Sequence, residues 1–312
     1  MTNNQLPITN ITIGTRQSTL ALWQTHYVAQ ALEETGADVV CEIKHFVTKG
    51  DQTQLAGIPL PEIGGKGLFT WELENALRRD EIQLAVHSLK DLPVEDAEGL
   101  LIGAVPPRAS VQDVLVAQNG WILDTLPMGA VVGTGSKRRA AQLLAARPDL
   151  EIRSIRGNVE TRMRKVLEEK LYDATILAAA GLERLALTEN ITQYLPLDMM
   201  LPAPGQGALA VQCSVDNELV QQLLDEIHDV DTYTAVTAER RFLSGFSGGC
   251  SAPVAAYAEV NDGEIFLRGL VASADGQQMI RVSDYGRDPQ ELGQRLAQEA
   301  LANGAAEIMQ KL

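Results

Sequence analysis

The stretch AVVGTGSKRRAAQLLAA, Ala130–Ala146, joins two kinds of pattern in seventeen residues. Val131 and Val132 read as a short β-branched strand, and Lys137 to Ala146 reads as a helix rich in alanine and leucine. Between them, Gly133-Thr-Gly-Ser136 makes the turn, with Ser136 placed to cap the helix. A strand that runs through a glycine turn into a helix is the start of a βαβ unit. Free backbone N–H groups at such a helix start favour an anion, and Thr134, Ser136, Arg138 and Arg139 add donors, so a phosphate or carboxylate site is expected here. An ordinary capped helix is the alternative. The turn lacks the third glycine of a dinucleotide fingerprint, and no glycine-lysine-hydroxyl run of the P-loop kind is present.

Working outward, the same alternation recurs on both sides. Downstream come a strand at Ile152–Ile155, a helix at Val159–Glu169 and a strand at Ala174–Ala178. Upstream, Val114–Ala117 reads as a further strand. The N-terminal third repeats the order: strand Ile8–Ile13, a helix with Leu20, Trp23 and Tyr27 on one face, strand Val39–Val47, a helix over 70–78, and strand Leu84–Ser88. Each set implies a parallel sheet covered by helices. Pro106-Pro107 and Pro202-Ala-Pro204-Gly bracket the second set as crossovers, after which Gly207–Cys213 reads as a strand and Asn217–Ile227 as a helix. The last third changes character. A helix over Thr232–Leu243 precedes three strands, Val254–Val260, Glu264–Val271 and Met279–Tyr285, with hairpin turns at Asn261-Asp-Gly263 and Ala274-Asp-Gly276. A helix opening at Pro289 closes the chain.

A chain of 312 residues that is 45% hydrophobic has enough apolar content for more than one core. The N-terminus lacks the pattern of a signal peptide and no apolar run approaches a membrane span, so a cytoplasmic protein is expected. Three cysteines without a Cys-x-x-Cys pair argue for a reducing compartment and against a disulfide framework or structural zinc. Nor does any His, Cys, Asp or Glu cluster have metal-ligand spacing. The net charge of −15 argues against general nucleic-acid binding. Against that background, nine basic residues fall between Lys137 and Lys165, seven of them arginine, among three acidic ones. Arginine in that proportion suits bidentate recognition of carboxylates or phosphates.

Two further residues carry chemistry. Cys250 stands on Gly248-Gly249, where glycines permit backbone angles that present a thiol from a tight loop. Cys41 and Cys213 lie within strands and read as small buried hydrophobes. Asp91 follows the strand Leu84–Ser88, at the kind of strand end where ligands of open α/β sheets bind. A carboxylate there makes sense if a cationic group forms during a reaction. A salt-bridged loop aspartate is the alternative. His87 and Ser88 are neighbours on one strand and point to opposite faces, which rejects a Ser-His hydrolase reading.

Seven blocks in order resemble the porphobilinogen deaminase (hydroxymethylbilane synthase) family: IGTRQSTLALWQ (Ile13–Gln24), GGKGLF (Gly64–Phe69), AVHSLKDLP (Ala85–Pro93), VGTGSKRR (Val132–Arg139), RSIRGNVETR (Arg153–Arg162), LPAPGQGALA (Leu201–Ala210) and GGCSAPV (Gly248–Val254). The resemblance implies a transferase that joins four porphobilinogen molecules head to tail into hydroxymethylbilane, with release of ammonia. It implies a dipyrromethane cofactor held by a thioether to Cys250, and Asp91 as the catalytic carboxylate. By matching position, Lys90, Thr134, Ser136, Arg138, Arg139, Arg156, Arg162, Arg184 and Gln206 would bind the cofactor; Arg16, Ser18, Lys66 and Phe69 would bind substrate. The implied fold is two α/β domains like those of type II periplasmic binding proteins plus a smaller C-terminal α+β domain with a three-stranded antiparallel sheet. The domains would be 1–106 with 207–228, then 107–206, then 229–312. The family implies a monomer, and its product would pass to uroporphyrinogen-III synthase; no metal, nucleic acid or membrane is expected. The chain departs from the family pattern at Gly135 and Lys137, and over Ala109–Asp113, where Asp-Pro-Arg-Asp is expected. The rival readings are a two-domain solute-binding protein for a polycarboxylate, a cysteine-nucleophile enzyme, and a nucleic-acid binder using the basic island.

Overall fold

A computed structural model describes residues 9–36, 38–48, 50, 70–246 and 252–310. The chain divides into two compact units, 1–107 with 209–230 and 108–208 with 231–312. No helix among the described residues is long and apolar enough to cross a membrane.

The first unit is built on strands β1 (Thr9–Arg16), β2 (Val39–Phe46), β3 (Leu84–Ser88), β4 (Leu100–Ala104) and the late strand β10 (Leu209–Ser214). Their order across the sheet is β2-β1-β3-β10-β4. Helix α1 (Thr19–Glu33) starts at Ser18, whose hydroxyl accepts from Ala21 N, and α2 (Trp71–Arg78) precedes β3. One face of the sheet packs Ile11, Ile13, Leu84, Val86, Val211 and Cys213 with Val28 and Leu32 of α1. The other packs Ala85 and Leu100 with Leu73 and Leu77 of α2. Alternate residues of β3 thus feed both cores, as a strand buried on two sides requires. Cys213 is fully buried and Cys41 half-buried, and burial pushes both thiols up to about 11, in keeping with their reading as inert hydrophobes.

The second unit repeats that plan with β5 (Asp113–Ala117), β6 (Val131–Gly133), β7 (Glu151–Arg153), β8 (Ala174–Ala178) and β9 (Gln193–Tyr194), ordered β7-β6-β8-β5-β9. Helices α3 (Lys137–Ala146), α4 (Val159–Leu167) and α5 (Ala179–Arg184) follow β6, β7 and β8. The unit also holds a three-stranded antiparallel sheet of β11 (Val254–Asn261), β12 (Glu264–Ala272) and β13 (Met279–Gly286), with α7 (Val230–Ser244) before it and α8 (Pro289–Ala300) after it. In the first unit, α6 (Glu218–Asp225) follows β10. The β11–β12 hairpin closes through Asp262 and Gly263, both at positive φ (51° and 74°), as a two-residue turn of the primed kind demands.

Both large sheets are mixed, which corrects the expectation of purely parallel ones. β10 runs antiparallel to β3 and β4, and β5 runs antiparallel to β8 and β9. The reason is topological. β10 and β5 each reach their sheet from a crossover rather than from a helix that returns the chain to the same edge, so right-handed βαβ logic does not fix their direction. Strands β4 and β9 and helix α5 add to the elements expected. They are short, and Leu100–Ala104 (LLIGA) carries no period-2 alternation to mark it.

Candidate active site

Helix α3 opens with Lys137, Arg138 and Arg139, three cations where the helix dipole disfavours them. Asp113, at the start of β5 and wholly buried, supplies the compensation. Its Oδ2 accepts from Arg138 Nη1 at 2.8 Å. Its Oδ1 accepts from Arg139 Nε (3.0 Å) and Nη2 (2.6 Å) and from Gln206 Nε2 (3.0 Å). Burial alone would push this carboxyl up, but the two guanidiniums override it and hold it well below the usual carboxylate range. Arg138 Nη1 also reaches Leu201 O and Arg139 Nη1 reaches Ile176 O, at 2.8 and 3.0 Å, so each arginine is pinned both to Asp113 and to a backbone carbonyl. Two buried cations against one anion leave this knot with one net positive charge.

Around the knot the turn is tied down. Thr134 N donates to Arg153 O at 2.9 Å, Thr134 Oγ1 accepts from Ser136 N at 3.2 Å, and Ser136 Oγ accepts from Arg139 N at 3.4 Å. Because β6 and β7 are parallel neighbours, the starts of α3 and α4 emerge at one edge of the sheet. Asn158 caps α4, Arg162 Nε donates to Gly157 O at 2.8 Å, and Lys165 Nζ donates to Arg156 O at 2.9 Å; Arg156 and Arg162 are half-buried. Arg184, at the end of α5, donates through Nη2 to Gly207 O at 2.8 Å. Gly207 itself has φ +86°, and a Cβ there would lie 2.5 Å from Ala109 O, so only glycine fits the crossover.

Sequence reasoning missed Asp113 and a second acid, Glu239. Arg108 grips Glu239 with two hydrogen bonds of 2.7 and 2.9 Å, while Gly205 N and Ala258 N donate to the same carboxylate. Glu239 is fully buried and joins the crossover at 205 to α7 and β11. One signal in the sequence pointed to Asp113: consecutive arginines in a first helical turn need a carboxylate nearby.

In the first unit, β1 and β3 pair in parallel through Ile13–Leu84 and Gly14–Ala85, so Arg16 and Ser18 share a sheet edge with the segment after β3. Lys90 and Asp91 lie there on one short helical turn, Leu89–Asp91, with Asp91 exposed and Lys90 half-buried. Gln24 Nε2 donates to Ser88 Oγ at 2.9 Å and fixes α1 against the end of β3. His87 is buried and held neutral: burial and the Arg16 charge lower its pKa to about 4, against a small opposing pull from Gln212. Cys250, Lys66 and Phe69 lie outside the described residues.

Known families match this chain along almost all of it. The family model described as porphobilinogen deaminase, dipyromethane cofactor binding domain, matches residues 11–222, and the porphobilinogen deaminase C-terminal domain matches 233–302. The chain belongs to the porphobilinogen deaminase family. Among its relatives, the porphobilinogen deaminase of Brevibacillus brevis is 48% identical over 298 residues, covering 95% of this chain and 96% of that one. That of Halalkalibacterium halodurans is 47% identical over 304 residues, covering 97% of each. Among solved structures, a probable amino-acid ABC transporter extracellular-binding protein from Bacillus subtilis is similar with a TM-score of 0.39, at 13% identity, over 70% of this chain and 91% of that one. The two α/β units and the C-terminal antiparallel sheet are the fold expected of a porphobilinogen deaminase. As a family member the chain takes a dipyrromethane cofactor. The donor set of the second unit fits such a group: a buried knot with a surplus positive charge, and half-buried Arg156 and Arg162 at a neighbouring helix start, suit a ligand that carries several carboxylates.

Proposed function

We propose that the chain condenses four porphobilinogen molecules head to tail into the linear tetrapyrrole hydroxymethylbilane, releasing one ammonia at each addition. The observation that carries the reading is the arginine knot on Asp113 in a cofactor-binding domain, a fixed surplus of positive charge for a polyanionic chain. Cys250 anchors the cofactor by a thioether. When bound, the dipyrromethane supplies the nucleophilic pyrrole carbon and an anchor that makes each addition intramolecular.

The chain's own residues do the rest. Thr134, Ser136, Arg138, Arg139, Arg156, Arg162, Arg184, Gln206 and Lys90 hold cofactor carboxylates, with Arg138, Arg139 and Gln206 set in place by Asp113. Arg16, Ser18, Lys66 and Phe69 receive the incoming porphobilinogen. Asp91, exposed at the end of β3, offers a fixed negative charge that stabilises positive charge on the substrate's pyrrole nitrogen as the aminomethyl nitrogen leaves. Three domains belong to this reading, 1–106 with 207–228, 107–206 and 229–312, supported by three separate sheets. So do a monomer in the cytoplasm, no nucleic acid or membrane partner, and delivery of the product to uroporphyrinogen-III synthase.

The test is incubation with porphobilinogen alone, following ammonia and the later rise of uroporphyrin absorbance. Both signals are expected, in a ratio of four ammonia to one tetrapyrrole. Tight retention of porphobilinogen without ammonia release overturns catalysis in favour of a solute-binding protein.

A further inference from the structure

The second unit holds a network that the proposed chemistry does not use. Glu239 sits in the middle of α7 with none of its side chain in solvent. Arg108 meets it with Nη1 and Nη2, at 2.7 and 2.9 Å, and donates through Nε to Gln206 O at 2.9 Å. Gly205 N and Ala258 N donate to the same carboxylate, at 2.7 and 2.8 Å. Its partners thus come from the segment before β5, from the crossover at 205 and from β11. β11 is an outer strand of its sheet. Ala256 N donates to Pro202 O at 3.2 Å, next to Ala258 N on Glu239, so the crossover and Glu239 together cover an edge that a sheet cannot leave open without risk.

The same crossover seats the arginines. Leu201 O accepts from Arg138 Nη1 at 2.8 Å, and Gln206 Nε2 donates to Asp113 Oδ1 at 3.0 Å. The two elements that Glu239 joins are those on either side of Cys250 in the chain: α7 ends at Ser244 and β11 begins at Val254. Phe246 and Ala252, the nearest described residues on each side, are both buried. Phe246 packs edge-on against Phe242 of α7 with ring centroids 5.0 Å apart, and Pro253 O accepts from Ala272 N at 3.1 Å. One carboxylate therefore links both approaches to the thiol with the crossover that holds the cofactor's cationic seat. A buried ion pair is a weak source of net stability, so its use here points to geometry.

We propose that Glu239, with Arg108 as its partner, is a positioning residue that sets the approaches to Cys250 in register with the arginine seat before the cofactor is attached. The inference rests on the reading of Cys250 as the anchor. In that attachment the thiol sulfur bonds to the aminomethyl carbon of a porphobilinogen as its C–N bond breaks, and the thiol proton leaves with the nitrogen as ammonia. A second porphobilinogen joins through its own aminomethyl carbon to the free ring carbon of the first, whose proton leaves with the second ammonia. The ring to be attached is held by its carboxylates on the arginines, so the sulfur must arrive at a carbon already fixed in place. A misplacement of about 1 Å in such a step costs about 10²-fold in rate. Once the thioether exists, the cofactor itself ties the sulfur to the arginines. The network therefore matters more for attachment than for elongation.

The rate of cofactor loading tests this. The full chain is made in cells that cannot form porphobilinogen, then given porphobilinogen, and its intact mass is followed as it gains one dipyrromethane. Glu239→Gln is expected to load at least about tenfold more slowly than the wild type, while its loaded fraction, once separated, turns over with a kcat within about twofold. Ala258→Pro removes one N–H from the outer edge of β11, where proline is tolerated, and should slow loading in the same sense; it keeps the test valid if Glu239→Gln does not fold. Leu32→Ala lowers stability in the core of the first unit, away from the network, and should load at the wild-type rate. Wild-type loading in both network variants, equal slowing in Leu32→Ala, or a kcat that falls as far as the loading rate overturns the positioning role and leaves the proposed function standing. A wild type that gains no dipyrromethane overturns the proposed function, and the positioning role with it.

Discussion

The two large sheets are drawn to one plan and furnished in opposite ways. β1, α1, β2, β3, β10 and β4 correspond in order to β6, α3, β7, β8, β5 and β9. Each plan opens with a strand that leads through Gly-Thr towards a helix capped by serine: Gly14-Thr15 with Ser18, and Gly133-Thr134 with Ser136. Beyond that the chemistry diverges. The second sheet buries two arginines and satisfies them on Asp113 and backbone carbonyls, whereas the first buries His87 and Gln212 and leaves an atom of each unmatched. The first also lets a carboxylate, Asp91, stand in solvent after β3, where the second runs straight from β8 into α5. One topology thus serves a fixed cationic seat in one unit and an exposed anionic group beside neutral buried acceptors in the other. The difference lies in which side chains that shared plan carries.

The largest expected effect breaks the first half of that contrast. Asp91→Ala should retain the cofactor, seen as an unchanged intact mass, and slow ammonia release by ~10²–10⁴ in kcat, taking general acid–base magnitudes as the guide. Near-normal turnover would remove the role assigned to this exposed carboxylate. The second half is broken by Asp113→Asn, which leaves two buried guanidiniums without their anion. We expect a loss of about 3–5 kcal/mol in unfolding free energy by urea denaturation at pH 7, and poor cofactor loading in whatever folds. Because the Asp113 carboxyl is depressed in the folded chain, its contribution is present above the ordinary carboxylate range of about pH 4. It fades as pH falls below that, so the gap between wild type and Asp113→Asn should close only in acid.

His87 gives a smaller effect with its own pH window. The unfolded chain protonates it near its ordinary value of 6.5, the folded chain only near 4, so the unfolded state binds the extra proton between those values. Stability should therefore fall by up to about 3 kcal/mol as pH drops from 6.5 to 4, and His87→Gln should flatten that slope in thermal scans. The smallest pair sharpens the comparison. Ser18→Ala and Ser136→Ala each remove one helix cap and should each cost about 1 kcal/mol in thermal unfolding. Only Ser136→Ala should also lower cofactor loading.

Much of this was legible in the sequence, and what was not has a physical reason. Helices were readable where Ser136 and Pro289 mark a start, and in the first helix where Leu20, Trp23 and Tyr27 share a face. The C-terminal hairpin was readable because Asn261-Asp-Gly-Glu264 admits few other turns. Strand direction at β5 and β10 was hidden, since alternation reports burial and not the sense of travel. Asp113 and Glu239 were hidden for a different reason. Each is a single acidic residue whose arginine partners lie 25 or more positions away, and only the folded chain brings them together. Gln212 and His87 were likewise invisible as a pair, because the ladder between β10 and β3 sets their shared face.

The most direct test of the central claim is the intact mass of the purified chain. The wild type should carry an adduct equal to one dipyrromethane, Cys250→Ser should carry none and be inactive, and Asp91→Ala should carry it without elongating. An unmodified mass in a wild-type chain that still makes hydroxymethylbilane would contradict the account.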